Sequence, residues 1–189
     1  MANGIFDGKP YTQQKRLNIT EELRLQGVPF VPSGGTPVPV LSAQSTALQD
    51  PGALDTPIQV EFGPAQGGPT DAVQIDAAGL TTFNQGGAYQ AIALFSPSRT
   101  TSTGEAILFI RSLFNAVQFQ NPIGGRFDDD DNTIPLQFVG NAVVSAGTEL
   151  TFEFYRDSAG INNGSLSSET SSIGWGSSSS ASLQIFKFA

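Results

Sequence analysis

A chain of 189 residues with Gly 21 and Pro 12 against Lys+Arg 9 has room for one good-sized core plus an appendage, and it lacks the charge-rich, helix-favouring surface of a bundle. The formal charge of -8 leaves no concentrated cationic surface, so neither nucleic acid nor an anionic membrane is expected as a partner. The absence of both cysteine and histidine excludes disulfides, thiolate or imidazole metal sites, cysteine nucleophiles and Ser-His-Asp relays, and so argues against an enzyme and for no cofactor.

Residues 1–27 are polar and hold four of the nine basic side chains, Lys9, Lys15, Arg16 and Arg24. A short helix is expected here at most: Thr20 caps it, Glu21 and Glu22 sit near its positive end, and Gly27 and Pro29 stop it within two turns. No segment has the build of a signal peptide, and none approaches the roughly 20 apolar residues that span a bilayer. A soluble chain made in the cytoplasm is therefore expected.

From Val28 to Pro57 the chain carries six of its twelve prolines together with Gly34-Gly35, a composition that favours extended backbone. Residues 1–56 therefore read as an extended N-terminal arm. A free linker has no use for the apolar residues Phe30, Val31, Val38, Val40 and Leu41, whereas a segment docked on a neighbour does. A strap laid on the chain's own domain is the equal alternative.

After Pro57 the pattern becomes period-two alternation broken by Gly, Pro, Asn and Asp, the signature of a sandwich or barrel. Strands are predicted at about 57–62, 72–76, 80–83, 87–95, 104–112, 115–120, 134–139, 148–156 and 182–188. In the stretch 87–95, Tyr89, Ala91, Ala93 and Phe95 share one face and Ala88, Gln90, Ile92 and Leu94 the other; neither face is polar, so the strand is expected to be buried on both sides or to lie at a subunit contact. The last strand sets Leu183 and Ile185 against Phe186 and Phe188 on the opposite face, which a monomer would leave in water. Phe152 and Phe154 repeat this two-sided character, and copies of the chain are expected to come together.

Candidate chemistry is sparse. Asp128-Asp129-Asp130-Asp131-Asn132 is the one concentrated charge; Asp128, Asp130 and Asn132 stand at the first, third and fifth positions of a calcium loop. Thr133 replaces the required Gly and Val139 the bidentate Glu, so a solvated acidic loop is expected and no metal is assigned. Glu149 and Glu153 point to one side of their strand without forming the desolvated pair that glycosidase chemistry needs. Residues 160–182 read as a long Gly/Ser-rich loop around the lone Trp175, whose indole could anchor the loop on its own domain or stack on a sugar.

Leu80-Thr81-Thr82-Phe83 through Gly87-Ala88-Tyr89 to Phe95 resembles an early strand of tumour necrosis factor and complement-type jelly rolls. Ala106 to Arg111 with Asn115, the stretch Ser145-Ala146-Gly147-Thr148-Glu149-Leu150-Thr151-Phe152, and the closing apolar strand extend the likeness over residues 57–189. The resemblance implies an all-β jelly-roll β-sandwich over 57–189 that forms a homotrimer, with Tyr89, Phe152, Phe154, Phe186 and Phe188 around the three-fold axis. The same domain type is similar to that of bacteriophage capsid decoration (cement) proteins. This implies a virion structural protein on the capsid surface whose arm grips the major capsid protein. The alternative is the receptor-binding head of a tail or head fibre, with a surface glycan held at Trp175.

Overall fold

Alternating large and small apolar side chains cannot bury one face of a strand without a second layer to cover it, and this chain supplies both layers. The computed structural model describes residues 36–67, 71–99, 104–127, 135–161 and 164–188, with the backbone of Arg24–Leu25 and Val28–Pro29. Two units result, Met1–Gly34 and Gly35–Ala189. In the first, Arg24–Leu25 pairs antiparallel with Val28–Pro29. Arg24 and Leu25 are thus extended rather than in a helical turn, in keeping with Gly27 and Pro29 so close by. Thr20 and the arm residues Phe30 and Val31 lie outside the described residues.

The second unit is a two-layer sandwich. Its ten principal strands are β1 (Val38–Ser45), β2 (Ala65–Gly67), β3 (Val73–Ile75), β4 (Thr81–Phe83), β5 (Gly87–Phe95), β6 (Ala106–Phe114), β7 (Ile123–Phe127), β8 (Leu136–Val144), β9 (Thr148–Arg156) and β10 (Ala181–Phe188). One sheet has the order β8-β5-β10-β1-β2 and the other β7-β6-β9-β4-β3, every neighbour antiparallel. Ile58–Gln59 adds to β9 and Val117–Gln118 to β6. From β4 onward the chain changes sheet at every connection except β6 to β7. Two nested Greek keys of this kind define a jelly roll.

The boundary expected at residue 56 is corrected. Val38–Ser45 is a full strand between β10 and β2, and Val40, Leu41 and Ala43 are buried in the core. Its prolines disguised it: Pro39 falls where the register of β1 and β10 shifts between Ile185 and Phe186. Such an irregularity tolerates a residue with no N–H to give to the ladder. Val40 and Leu41 therefore serve their own domain and cannot grip a neighbour, while Val38 stays half exposed.

Between the sheets the core is aromatic. Phe152 of β9 meets Phe62, Phe95 and Phe138 at ring-centroid distances of 5.6, 5.6 and 5.0 Å. Beside Phe95 and Phe138, the inner faces of β1, β5 and β10 contribute Ala43, Ala91, Ala93 and Ala181, so large rings and small side chains alternate within one sheet. Gln49 closes a gap at the edge: its amide donates to the Glu61 carbonyl and accepts from the Glu61 N–H, both at 2.8 Å, as another stretch of strand would.

Replacing the hub by Phe152→Ala is expected to lower stability by about 3–5 kcal/mol, and Leu41→Ala by about 2–5 kcal/mol, in denaturant unfolding at fixed protein concentration. A Leu41→Ala protein as stable as the parent would return this segment to the status of an arm.

Candidate self-association face

A strand in a two-layer sandwich turns every second side chain away from the core, and what those side chains are decides whether the outer face meets water or another protein. On the β7-β6-β9-β4-β3 sheet the outward set carries charges beside the apolar Ile107, Phe109 and Leu113. Arg111 holds Glu153 through Nε and Nη2 at 2.8 and 2.7 Å, and Arg126 holds Glu105 at 2.7 Å. Tyr155 stacks on Phe109 at 5.7 Å; partial burial, then the charge of Asp157, lifts its phenol above the ordinary tyrosine range.

The other sheet is different. Its outward positions are Gln137, Val139, Asn141 and Val143 on β8; Ala88, Gln90, Ile92 and Leu94 on β5; Ser182, Gln184, Phe186 and Phe188 on β10; and Pro39, Ser42 and Gln44 on β1. Not one of them is Asp, Glu, Lys or Arg. Val139 lies opposite Ile92, Val143 opposite Ala88, and Ala88 in turn opposite Phe188, so apolar side chains line up across three strands. Val143 is 85% exposed, Val139 46% and Leu94 43%. The polar members pair among themselves, Gln90 donating to Asn141 at 3.1 Å and leaving both able to bond further.

The residues expected around a three-fold axis divide between the two sides of this sheet and the interior. Phe186 and Phe188 lie on the uncharged face, half-buried at the end of β10. Tyr89, Phe152 and Phe154 are corrected: all three are buried inside the subunit, Phe154 at 0% exposure. Tyr89 packs edge-on against Phe83 at 4.8 Å, and its hydroxyl donates to the Gln85 carbonyl. The register places these three on the inward-facing alternation of β5 and β9, where an interface cannot reach them. Sequence reasoning passed over Ile92, Leu94, Val139 and Val143 as contact residues, although the second face of 87–95 already showed no charge. Val143 lies beyond the strand predicted at 134–139, which runs instead from Leu136 to Val144.

The loop around Trp175 is also corrected. It contains the strand Gly164–Leu166, paired with Pro97–Arg99, and a tight hairpin closed by the Thr170–Ser177 bridge. Trp175 is 87% exposed rather than anchored on its own domain. Asp128, Asp130 and Asn132 lie outside the described residues, and among the described residues no three carboxylates gather into a metal-binding group.

An all-β jelly roll with one charged and one uncharged outer face is thus the class to which the chain's architecture belongs. No protein-family profile matches the sequence, and no curated protein does. Among solved structures, the globular domain of zebrafish complement 1qA protein is similar at a TM-score of 0.45 and 13% identity, over 80% of this chain and 98% of that one. Murine APRIL is similar at 0.45 and 12%, over 79% and 98%.

If the uncharged face plays no part in folding the subunit, Val143→Ser should change the unfolding free energy of the dissociated subunit by less than about 0.5 kcal/mol. A loss as large as that of a core truncation would show that Val143 is packed within its own subunit.

Proposed function

We propose that the chain is a virion structural protein without catalytic function, a capsid decoration protein that forms a homotrimer through the outer face of the β8-β5-β10-β1-β2 sheet and binds the major capsid protein on the capsid surface. One observation carries the self-association: a whole sheet face of a chain with 26 charged side chains has none of them, whereas the opposite face carries Arg111, Arg126, Glu149 and Glu153, with Arg111 and Arg126 in ion pairs. Depletion of charge with retained aliphatic and aromatic side chains distinguishes the centre of a protein contact from solvated surface. Three copies are the proposed number because the resemblance to tumour necrosis factor and complement-type jelly rolls implies a homotrimer, a closed arrangement that covers the face of every member. The lack of histidine and cysteine fits a structural role.

The capsid contact is assigned to residues 1–34, the basic and apolar segment ahead of the sandwich, because the strand beginning at Val38 is committed to its own sheet. Tethering several such segments on one trimer multiplies weak contacts with a repeating lattice.

Two measurements test this. Val139→Asp places a charge within the proposed contact, opposite Ile92, and is expected to weaken assembly by roughly 2 kcal/mol or more, so that sedimentation shows single subunits; Thr151→Asp on the opposite sheet leaves the assembly intact. Removal of residues 1–34 is expected to preserve the trimer and abolish co-sedimentation with capsids. Wild-type occupancy by the truncated protein would exclude the assigned capsid contact.

A further inference from the structure

The hairpin between Glu169 and Ser178 presents its one indole outward and fixes it there. Ser171 donates its N–H to the Gly176 carbonyl at 2.9 Å, Ser178 to the Glu169 carbonyl at 2.8 Å, and the Ser178 hydroxyl accepts from the Glu169 N–H at 2.8 Å. The Thr170 and Ser177 hydroxyls pair at 2.9 Å across the ladder. Gly174 and Gly176, at φ of 82° and 96°, make the reversal that an L side chain would resist. Trp175 stands between them at 87% exposure, with Ile173 at 70%. An ordered turn that spends its backbone hydrogen bonds on holding a Trp in water has the build of a contact element.

The surroundings define the chemistry of the ligand. Between Asp157 and Lys187 the only charged side chain is Glu169, while Ser and Thr hydroxyls crowd both arms of the hairpin. An apolar socket closing over this tip would strip water from those hydroxyls and return no partners. An anionic ligand would meet Glu169 and find no cation within the hairpin, and a cationic one would find a single carboxylate for its charge. A neutral sugar satisfies both requirements, since its C–H face covers an indole and its hydroxyls exchange hydrogen bonds with Ser and Thr.

We infer that the Ile173–Trp175 hairpin is a binding site for neutral glycans, with the Trp175 ring as the stacking platform. The site is independent of the capsid assignment and draws on the proposed trimer only for the number of copies it presents. Each site is small and convex, and the measurable affinity comes from several copies engaging a glycan-coated surface together.

The chain has a single Trp, so its intrinsic tryptophan emission reports on this position alone. The full chain is applied to an array of neutral and sialylated glycans, and the best-retained oligosaccharide is then titrated while the emission is followed. The inference requires retention of neutral glycans in preference to sialylated ones and a blue shift on titration. It also requires a loss of roughly tenfold or more for Trp175→Ala, with partial retention by Trp175→Phe. Trp175→Ala should leave the melting temperature unchanged, because the side chain covers nothing. Absence of any glycan binding, binding undiminished in Trp175→Ala, or a blue-shifted emission in the unliganded protein that dilution reverses would each overturn it, the last because another copy would already cover the indole.

Discussion

Phe152 is the point on which the two sheets close. Its ring meets two phenylalanines of the opposite sheet, Phe95 and Phe138, and Phe62 of the segment after β1, and the alanines of β1, β5 and β10 leave those rings space. Close packing of this kind fixes which alternation of each strand faces inward, because a slip of one residue would send every ring to the other side. The same contact that builds the core therefore dictates the composition of the outer faces. Tyr89, Phe152 and Phe154 go inside; Ile92, Leu94, Val139, Val143, Phe186 and Phe188 go out.

The two outer faces have opposite characters in consequence. Arg111 with Glu153, directly opposite across adjacent strands, and Arg126 with Glu105, on the diagonal, show how this chain treats charges on a surface that stays in water. Nothing of the kind occurs on the other sheet, where glutamine, asparagine and serine are interleaved with aliphatic side chains. Amides and hydroxyls can be buried against a partner at modest cost when they find hydrogen bonds, whereas a lone charge cannot. The face is thus compatible with burial in a way its counterpart is not.

Much of this was legible in the residues themselves. The strands at 87–95 and 148–156 match their predicted limits, because uninterrupted alternation over nine residues admits no other period. The outward direction of Phe186 and Phe188 followed from the same rule. What alternation cannot reveal is which of two apolar faces points inward when both are apolar, since that depends on strands far away in the chain; Tyr89, Phe152 and Phe154 were misplaced for this reason. β1 was hidden by Pro37 and Pro39, whose local preference is overridden by pairing on both sides. Trp175 lies in a stretch without periodicity, where composition gives no account of direction.

Self-association is the claim on which the functional reading turns, and the mass of the unmodified chain in solution tests it most directly. Sedimentation equilibrium over a dilution series at micromolar concentration is expected to find one species at three times the 19.8 kDa chain mass. A stable species of 19.8 kDa across that range would mean that the uncharged face tolerates water, and would contradict the account.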